Sequence, residues 1–352
     1  MPTLNRQDTA AVERYNRFVK GSPFGGATQD TCWATVKKEW IPEGVYLESA
    51  AGEIIAAMSF LVKKLPFGGS MVYATRGPVC DVYDLGTVQK LIAEADGIVK
   101  KHRAAFLRFD PEVVLDPKLE ELYTKAGFVV RNSAFGKDDL IQPRYNMVLA
   151  LKDFDEEELH KTFSEKTRYN VRLAARKGVT VRCSRSPEDL KIFYELNLIT
   201  VKRDKIGTRK LDYFESMLEA FGENELRIYI AEHEGEALSA AIAINYGKKM
   251  WYIYGASSNE KRNLMPNYLM QWEMIKWALE CGCELYDFGG VFILNKENGL
   301  FKFKEGFCRK DGTTELIGEI DKVYKKGVYW LVVKLVPAFQ GFKRKIKNLI
   351  RR

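Results

Sequence analysis

Histidine is nearly missing: three occur in 352 residues, His102, His160 and His233. A mechanism built on an imidazole general base is therefore poorly supplied. Other signatures are absent as well. There is no G-x-S-x-G elbow, no Walker loop, no H-E-x-x-H pair and no G-x-G-x-x-G after a strand. Those absences argue against serine hydrolases, P-loop enzymes, zincins and dinucleotide-binding oxidoreductases. The six cysteines (Cys32, Cys80, Cys183, Cys281, Cys283 and Cys308) include no C-x-x-C pair. No zinc or other metal is expected, no cofactor is assigned, and scattered cysteines in a chain this long fit a reducing cytosol with all six as packing residues. The opening MPTLNRQDTAAVERYNRF lacks an apolar signal region, which leads us to expect a cytoplasmic protein.

What the chain does have is length, core formers and a mild excess of positive charge. Two domains of roughly 150 residues are the natural expectation for this length. Hydrophobic residues at 46% and charged residues at 29% describe a folded, soluble protein. The net charge of +8 suits an anionic partner such as tRNA, a nucleotide-sugar diphosphate or a lipid headgroup, and equally an ordinary basic protein.

Self-similarity organises the chain. The stretch from Tyr46 through Gly52-Glu53 to Ala57 recurs from Tyr229 through Gly235-Glu236 to Ala240, each reading as strand, tight turn and strand. A further turn and strand follow in each copy, then an amphipathic helix, VQKLIAEADGIVKKHR in the first and YLMQWEMIKWALECG in the second. Each helix leads to a strand ending near an aspartate, Asp110 or Asp287, and then to Lys-x-Gly-Phe, at 125–128 and 304–307. Three landmarks in one order at an offset of about 180 residues point to duplication. The order matches the acyltransferase fold of the GNAT type, an α/β (α+β) architecture. We therefore expect two tandem GNAT-like domains, residues 1–147 and 148–318, followed by a basic C-terminal helix, 319–352, that returns to the first. That helix has two readings, packing on its own domain or resting on anionic lipid as a peripheral membrane contact, and packing is favoured.

Several segments carry candidate chemistry. Arg168, Arg172 and Arg176 recur every four residues, so a helix sets them on one face where they can grip successive phosphates, or simply meet water. Arg209 and Tyr213 follow a helix in a polar loop and stand four apart. Lys37 and Lys38 lie between Trp33 and Trp40, in a phosphate contact or an ordinary amphipathic helix. The run from Gly299 to Phe307 interleaves aromatics with Lys302 and Lys304, which suits base stacking beside a cation, or an alternating strand.

With these segments in hand, the chain resembles the FemABX family of non-ribosomal, tRNA-dependent peptidyltransferases. The segments that carry the resemblance are VKKEW, YATRGPV, FLRFDPEV, IQPRYNMVLAL, RYNVRLAARKGV, the Arg203-Asp204 loop to Tyr213, WYIYGASS and LFKFKEGF. The resemblance implies transfer of Gly, Ala or Ser from aminoacyl-tRNA to the stem-peptide side-chain amine of a peptidoglycan precursor, lipid II or UDP-MurNAc-pentapeptide. It also implies that Lys37 and Arg209 hold the precursor's diphosphate, with Tyr213 and Tyr254 lining the groove and Asp110 meeting the peptide stem. Phe303 and Lys304 would meet the tRNA acceptor end, Lys304 steadying charge at the ester. The interval from Arg209 to Leu226 leaves no room for the helical hairpin of some members, so a compact member is expected. Where the family pattern has a stem-contacting tyrosine, this chain has Ala104 and Ala105. Two other readings stand beside this one. An acetyl-CoA N-acetyltransferase would need a Gly-rich turn before a helix, where Ser257 to Pro266 offers none. A non-catalytic tRNA- or lipid-binding protein would use the same basic stripe.

Overall fold

The computed structural model describes residues 3–66, 68–132, 140–291, 294–295, 297–309 and 312–335. The chain divides into two compact units, residues 1–144 with 315–352 and residues 145–314.

Unit 1 is built on strands β1 (Ile41–Glu48), β2 (Ile54–Lys64), β3 (Ser70–Ala74), β4 (Ala104–Phe109), β5 (Val129–Arg131) and β13 (Glu319–Val323). Their spatial order is β1-β2-β3-β4-β13-β5. The β1–β2 hairpin turns at Gly52, whose φ of 79° suits a residue without a Cβ. Strand β3 runs parallel to β4, and the intervening α3 (Leu85–Glu94) and α4 (Asp96–Lys101) make the crossover. Helix α1 (Thr9–Gly21) and the single turn α2 (Trp33–Val36) precede the sheet, and α5 (Pro117–Lys125) precedes β5. Every residue of β4, AAFLRF, is buried. One face packs under Leu91, Ile98, Leu119 and Tyr123, while Phe106 meets Val328, Tyr329 and Val332, the last elements of the described chain beginning with α12 (Lys326–Trp330). A strand covered on both faces has no reason to alternate, and this one does not.

Arg108 is the polar exception in β4. Its guanidinium meets Asp321 on β13 through two bonds of 2.7 Å and Glu319 at 2.7 Å, while Arg131 on β5 reaches Glu319 at 2.5 Å. Burial pulls the Arg108 pKa down, and Asp321 and Glu319 more than restore it, so the charge is retained. These pairs explain one departure from expectation. Residues 319–323, expected to open the C-terminal helix, are instead an inserted strand, because Glu319 and Asp321 project to the buried arginines of both neighbours. Helix begins only at Lys326, and residues 336–352 of the expected helix lie outside the described residues.

Unit 2 orders seven strands as β12-β6-β11-β10-β9-β8-β7: β6 (Tyr145–Ala150), β7 (Thr180–Ser184), β8 (Leu226–His233), β9 (Glu236–Tyr246), β10 (Lys249–Ser257), β11 (Leu285–Val291) and β12 (Thr313–Glu315). Its helices are α6 (Glu156–Thr162), α7 (Glu165–Arg176), α8 (Pro187–Asp204), α9 (Leu211–Ala220), α10 (Pro266–Glu280) and α11 (Gly299–Cys308). The β8–β9 hairpin turns at Glu234 and Gly235, both left-handed, at the place the repeat indicates. Trp272, Ile275 and Trp277 of α10 fill the core against the sheet, as α3 and α4 do in unit 1. The third landmark of the repeat does not hold. Gly127 ends α5 in a turn with φ 82°, whereas Lys304 to Phe307 lie inside α11. Gly306 is there for packing: a Cβ would stand 2.3 Å from the Thr167 hydroxyl of α7. Between Arg209 and Leu226 the chain makes α9 and a turn, with no longer insertion.

Candidate active site

The central feature of unit 2 is a parting between two parallel strands. β10 pairs with β11 only from Lys249–Trp251 to Leu285–Asp287. Beyond that, β10 stays with β9, slipping register between Tyr252 and Tyr254, and β11 stays with β6, slipping between Asp287 and Gly290. A bulge turns a strand away from its partner. Carbonyls of β11 that would otherwise face β10 then need another donor.

Lys304 supplies it. From α11 its ammonium donates to Gly289 O at 3.1 Å and Gly290 O at 3.0 Å, and the residue is 4% exposed. Burial lowers its pKa to about 8, against the opposing pull of Asp287 and Cys308. Asp287 has partners of its own: both oxygens accept from Asn146 Nδ2 at 3.0 Å, one accepts the Gly289 N–H at 2.7 Å, and the Lys249 ammonium lies 3.7 Å away. Phe303, half-buried on the same helix, stands edge-on to Tyr268 at 4.9 Å between ring centroids. Lys302 is exposed, so the helix separates the two lysines that sequence spacing left equivalent.

A second cluster lies along β10. The Arg209 guanidinium sits 5.3 Å from the Tyr213 ring centroid, and the Tyr254 hydroxyl donates to that of Tyr213 at 3.3 Å. Burial, and then the neighbouring Tyr254, push the Tyr213 pKa up, so the hydroxyl keeps its proton. Arg209 is exposed, and it opens α9 with Lys210. Tyr252, two residues before Tyr254 on β10, has its backbone oxygen 3.6 Å from where a Cβ at Gly289 would stand.

The arginine stripe folds as the expected helix, α7. Arg172 and Arg176 are exposed. Arg168 is half-buried, its Nη1 donating to Lys161 O at 2.7 Å and Phe163 O at 3.1 Å at the end of α6. Arg176 lies 5.9 Å over Tyr169.

In unit 1, Lys37 ends α2 with its ammonium 5.3 Å from the Trp33 ring centroid, a cation–π contact rather than the amphipathic helix the spacing allowed. Asp110 is 1% exposed. Its carboxylate accepts the Tyr73 hydroxyl at 2.9 Å and the Arg76 N–H at 2.8 Å, with the Arg76 guanidinium 3.7 Å away. Burial raises the Asp110 pKa to about 6, and Arg76 works against that rise. Tyr73 and Arg76 escaped the residue-by-residue reading although both stand in YATRGPV; only the fold sets Asp110 beside them.

The start of α10, where an acetyl-CoA pyrophosphate would need free backbone N–H groups, opens on Pro266 after a left-handed Met265. Proline has no N–H to offer.

Two units of this topology, with parted parallel strands and an enclosed lysine in the second, define a tandem acyltransferase of the GNAT-like class. The FemAB family profile matches residues 11–236 and 229–335. The chain is 41% identical to UDP-N-acetylmuramoylpentapeptide-lysine N(6)-alanyltransferase of Weissella viridescens over 342 residues, 95% of this chain and 100% of that one. It is 30% identical to the lipid II:glycine glycyltransferase of Staphylococcus aureus (strain MRSA252), over 97% and 98% of the two chains. The crystal structure of FemX superposes with a TM-score of 0.83 at 28% identity, covering 95% of this chain and 100% of that one. A tandem GNAT protein from the clavulanic acid biosynthesis pathway shares the fold, with a TM-score of 0.54 at 12% identity over 92% and 97% of the chains. The chain belongs to the FemAB family.

Proposed function

We propose that this transferase moves an amino acid from aminoacyl-tRNA to the side-chain amine of the stem-peptide diamino acid in a peptidoglycan precursor, building the interpeptide bridge. The observation that carries the reading is the enclosed ammonium of Lys304 at the parting of β10 and β11. Aminolysis of an ester needs little acid-base machinery. The neutral amine attacks the ester carbonyl, the carbon–oxygen bond to the tRNA ribose breaks, and the proton lost by the amine leaves with the ribose hydroxyl. The chief demand on the protein is alignment and stabilisation of the tetrahedral oxyanion. An ammonium has three donors, and two are held by Gly289 and Gly290, which aims the remaining one. Scarcity of histidine is no handicap to such a site.

In this reading Phe303 stacks at the acceptor end of the tRNA, and Arg172 and Arg176 take phosphates further along. Arg209 forks a phosphate of the precursor, beside the hydroxyls of Tyr213 and Tyr254. Lys37 of unit 1 is assigned a phosphate contact of its own. Asp110, being enclosed, acts on the peptide stem by holding Tyr73 and Arg76 in place. The reaction belongs to the cytoplasmic side of the membrane, with peripheral contact where the precursor is lipid-linked. No described helix is long and apolar enough to cross a membrane.

The test is product mass. Purified protein incubated with alanyl-, glycyl- or seryl-tRNA and either precursor is expected to add one residue mass to the stem peptide. Turnover with acetyl-CoA and none with charged tRNA would overturn the assignment.

A further inference from the structure

Helix α8 carries apolar side chains toward water. It buries Asp189, Leu190, Phe193, Leu196, Asn197 and Thr200, while its exposed positions are Pro187, Glu188, Lys191, Glu195, Leu198, Ile199, Lys202 and Asp204. Leu198 is 43% exposed and Ile199 39%. At its end the chain reverses: Lys205 is left-handed with φ 54°, and the Ile206 N–H returns to Val201 O at 3.2 Å. That closure holds Ile206, 59% exposed, against the last turn of α8. Residues 205–210, Lys-Ile-Gly-Thr-Arg-Lys, are all exposed and contain no acid. Asp204, just before them, is bound by Arg203 at 2.9 Å.

Single exposed aliphatic side chains need no explanation. Here three of them, Leu198, Ile199 and Ile206, fall in the stretch 198–210 with the exposed cations Lys202, Lys205, Arg209 and Lys210 and a single exposed acid, Asp204. Aliphatic side chains ringed by cations are the composition that enters the headgroup layer of an anionic bilayer, the lysines staying at phosphate level. A soluble protein partner with an acidic, apolar face would have to match this geometry, whereas a fluid surface has only to be negative.

We propose that the end of α8 and the 205–210 loop rest on an anionic lipid surface, and that this contact presents the Arg209–Tyr213–Tyr254 cluster to a diphosphate carried on a lipid. The second half of the statement rests on the function proposed above. The apolar residues would follow the lipid chain that leaves the diphosphate, and Arg209, three residues beyond Ile206, would take the phosphate itself.

The experiment is sedimentation of the full chain with vesicles, in 0.15 M salt and without precursor, where electrostatic attraction reaches only about 8 Å. Vesicles rich in phosphatidylglycerol are expected to carry the protein down, and pure phosphatidylcholine vesicles to leave it in solution. The double variant Leu198→Ser, Ile206→Ser should bind the anionic vesicles at least tenfold more weakly with an unchanged melting temperature, since both side chains are exposed. Sedimentation of the variant equal to wild type, or equal binding to both vesicles, overturns the membrane contact. Turnover gives the second reading: the variant should act normally on the soluble nucleotide-linked precursor and at least tenfold more slowly on the lipid-linked one in vesicles. Equal loss on both substrates overturns the presentation of a lipid-borne diphosphate. If neither precursor is ever modified by any form of the protein, the functional assignment fails, while the vesicle measurement still decides the lipid contact.

Discussion

Lys304 combines two properties that rarely coincide, enclosure and charge. A lysine 4% exposed among two carbonyls loses hydration that only partly returns as hydrogen bonds, which is why its pKa falls to about 8. The ammonium is the useful form, so its contribution is full below that pH and fades above it. In single-turnover assays the rate is expected to rise with pH as the substrate amine loses its proton, then to level off from about pH 8, where each gain in neutral amine is offset by a loss of the Lys304 ammonium. In Lys304→Arg that plateau should disappear and the rate should go on rising above about pH 8, since a guanidinium stays charged. In Lys304→Ala turnover should drop roughly a hundredfold or more, the loss seen when an oxyanion donor is removed. Unchanged turnover in the alanine variant would remove the lysine from the mechanism. Gly255 matters for space. A Cβ there would fall 1.6 Å from the Tyr252 hydroxyl, so Gly255→Ala must displace that ring from the bulge. We expect a loss of about 1–3 kcal/mol in urea unfolding, the cost of overpacking.

At the scale of elements, the hairpins were the most legible parts. Alternating runs around Gly52 and Gly235 identify strand, turn and strand, because only glycine enters the left-handed region without cost. The β8–β9 turn also asks Glu234 to adopt φ 53°, which a residue carrying a Cβ does reluctantly. Glu234→Asn should therefore stabilise unit 2 by up to about 1 kcal/mol, read as a higher urea midpoint, as Asn-Gly suits two left-handed positions. Loss of the Lys261 ion pair, 3.5 Å from a residue whose side chain is 75% exposed, subtracts little. The two Lys-x-Gly-Phe segments misled for a physical reason. A glycine before phenylalanine marks a turn when backbone freedom is needed, and a close helix contact when space is needed. Sequence alone does not distinguish Gly127 from Gly306.

At the scale of the whole chain, the last described strand closes unit 1. β13 lies between β4 and β5, so residues 319–323 complete a sheet begun more than two hundred positions earlier. Glu319 faces Arg108 and Arg131, and Glu319→Ala would take from both buried guanidiniums the carboxylate they share. Breaking a buried ion pair in this way costs about 3–5 kcal/mol. The variant should lose unit 1 stability in urea while the unit 2 transition stays in place. An unaltered first transition would show that the tetrad carries no net stability.

The amino-acid sequence by itself determined the two matching hairpins, the GNAT-like order of elements, the compact second half and the family, because turn glycines, strand runs and helical periodicity are local and survive as patterns. It also named Arg209, Tyr213, Phe303 and Lys304 from their motifs. Only the tertiary structure decided that Lys304 rather than Lys302 is enclosed, that Asp110 is held by Tyr73 and Arg76, and that residues 319–323 form an internal strand. Each of those outcomes turns on which distant groups a buried charge can reach, and burial and long-range pairing are properties of the folded chain rather than of any window of residues along it.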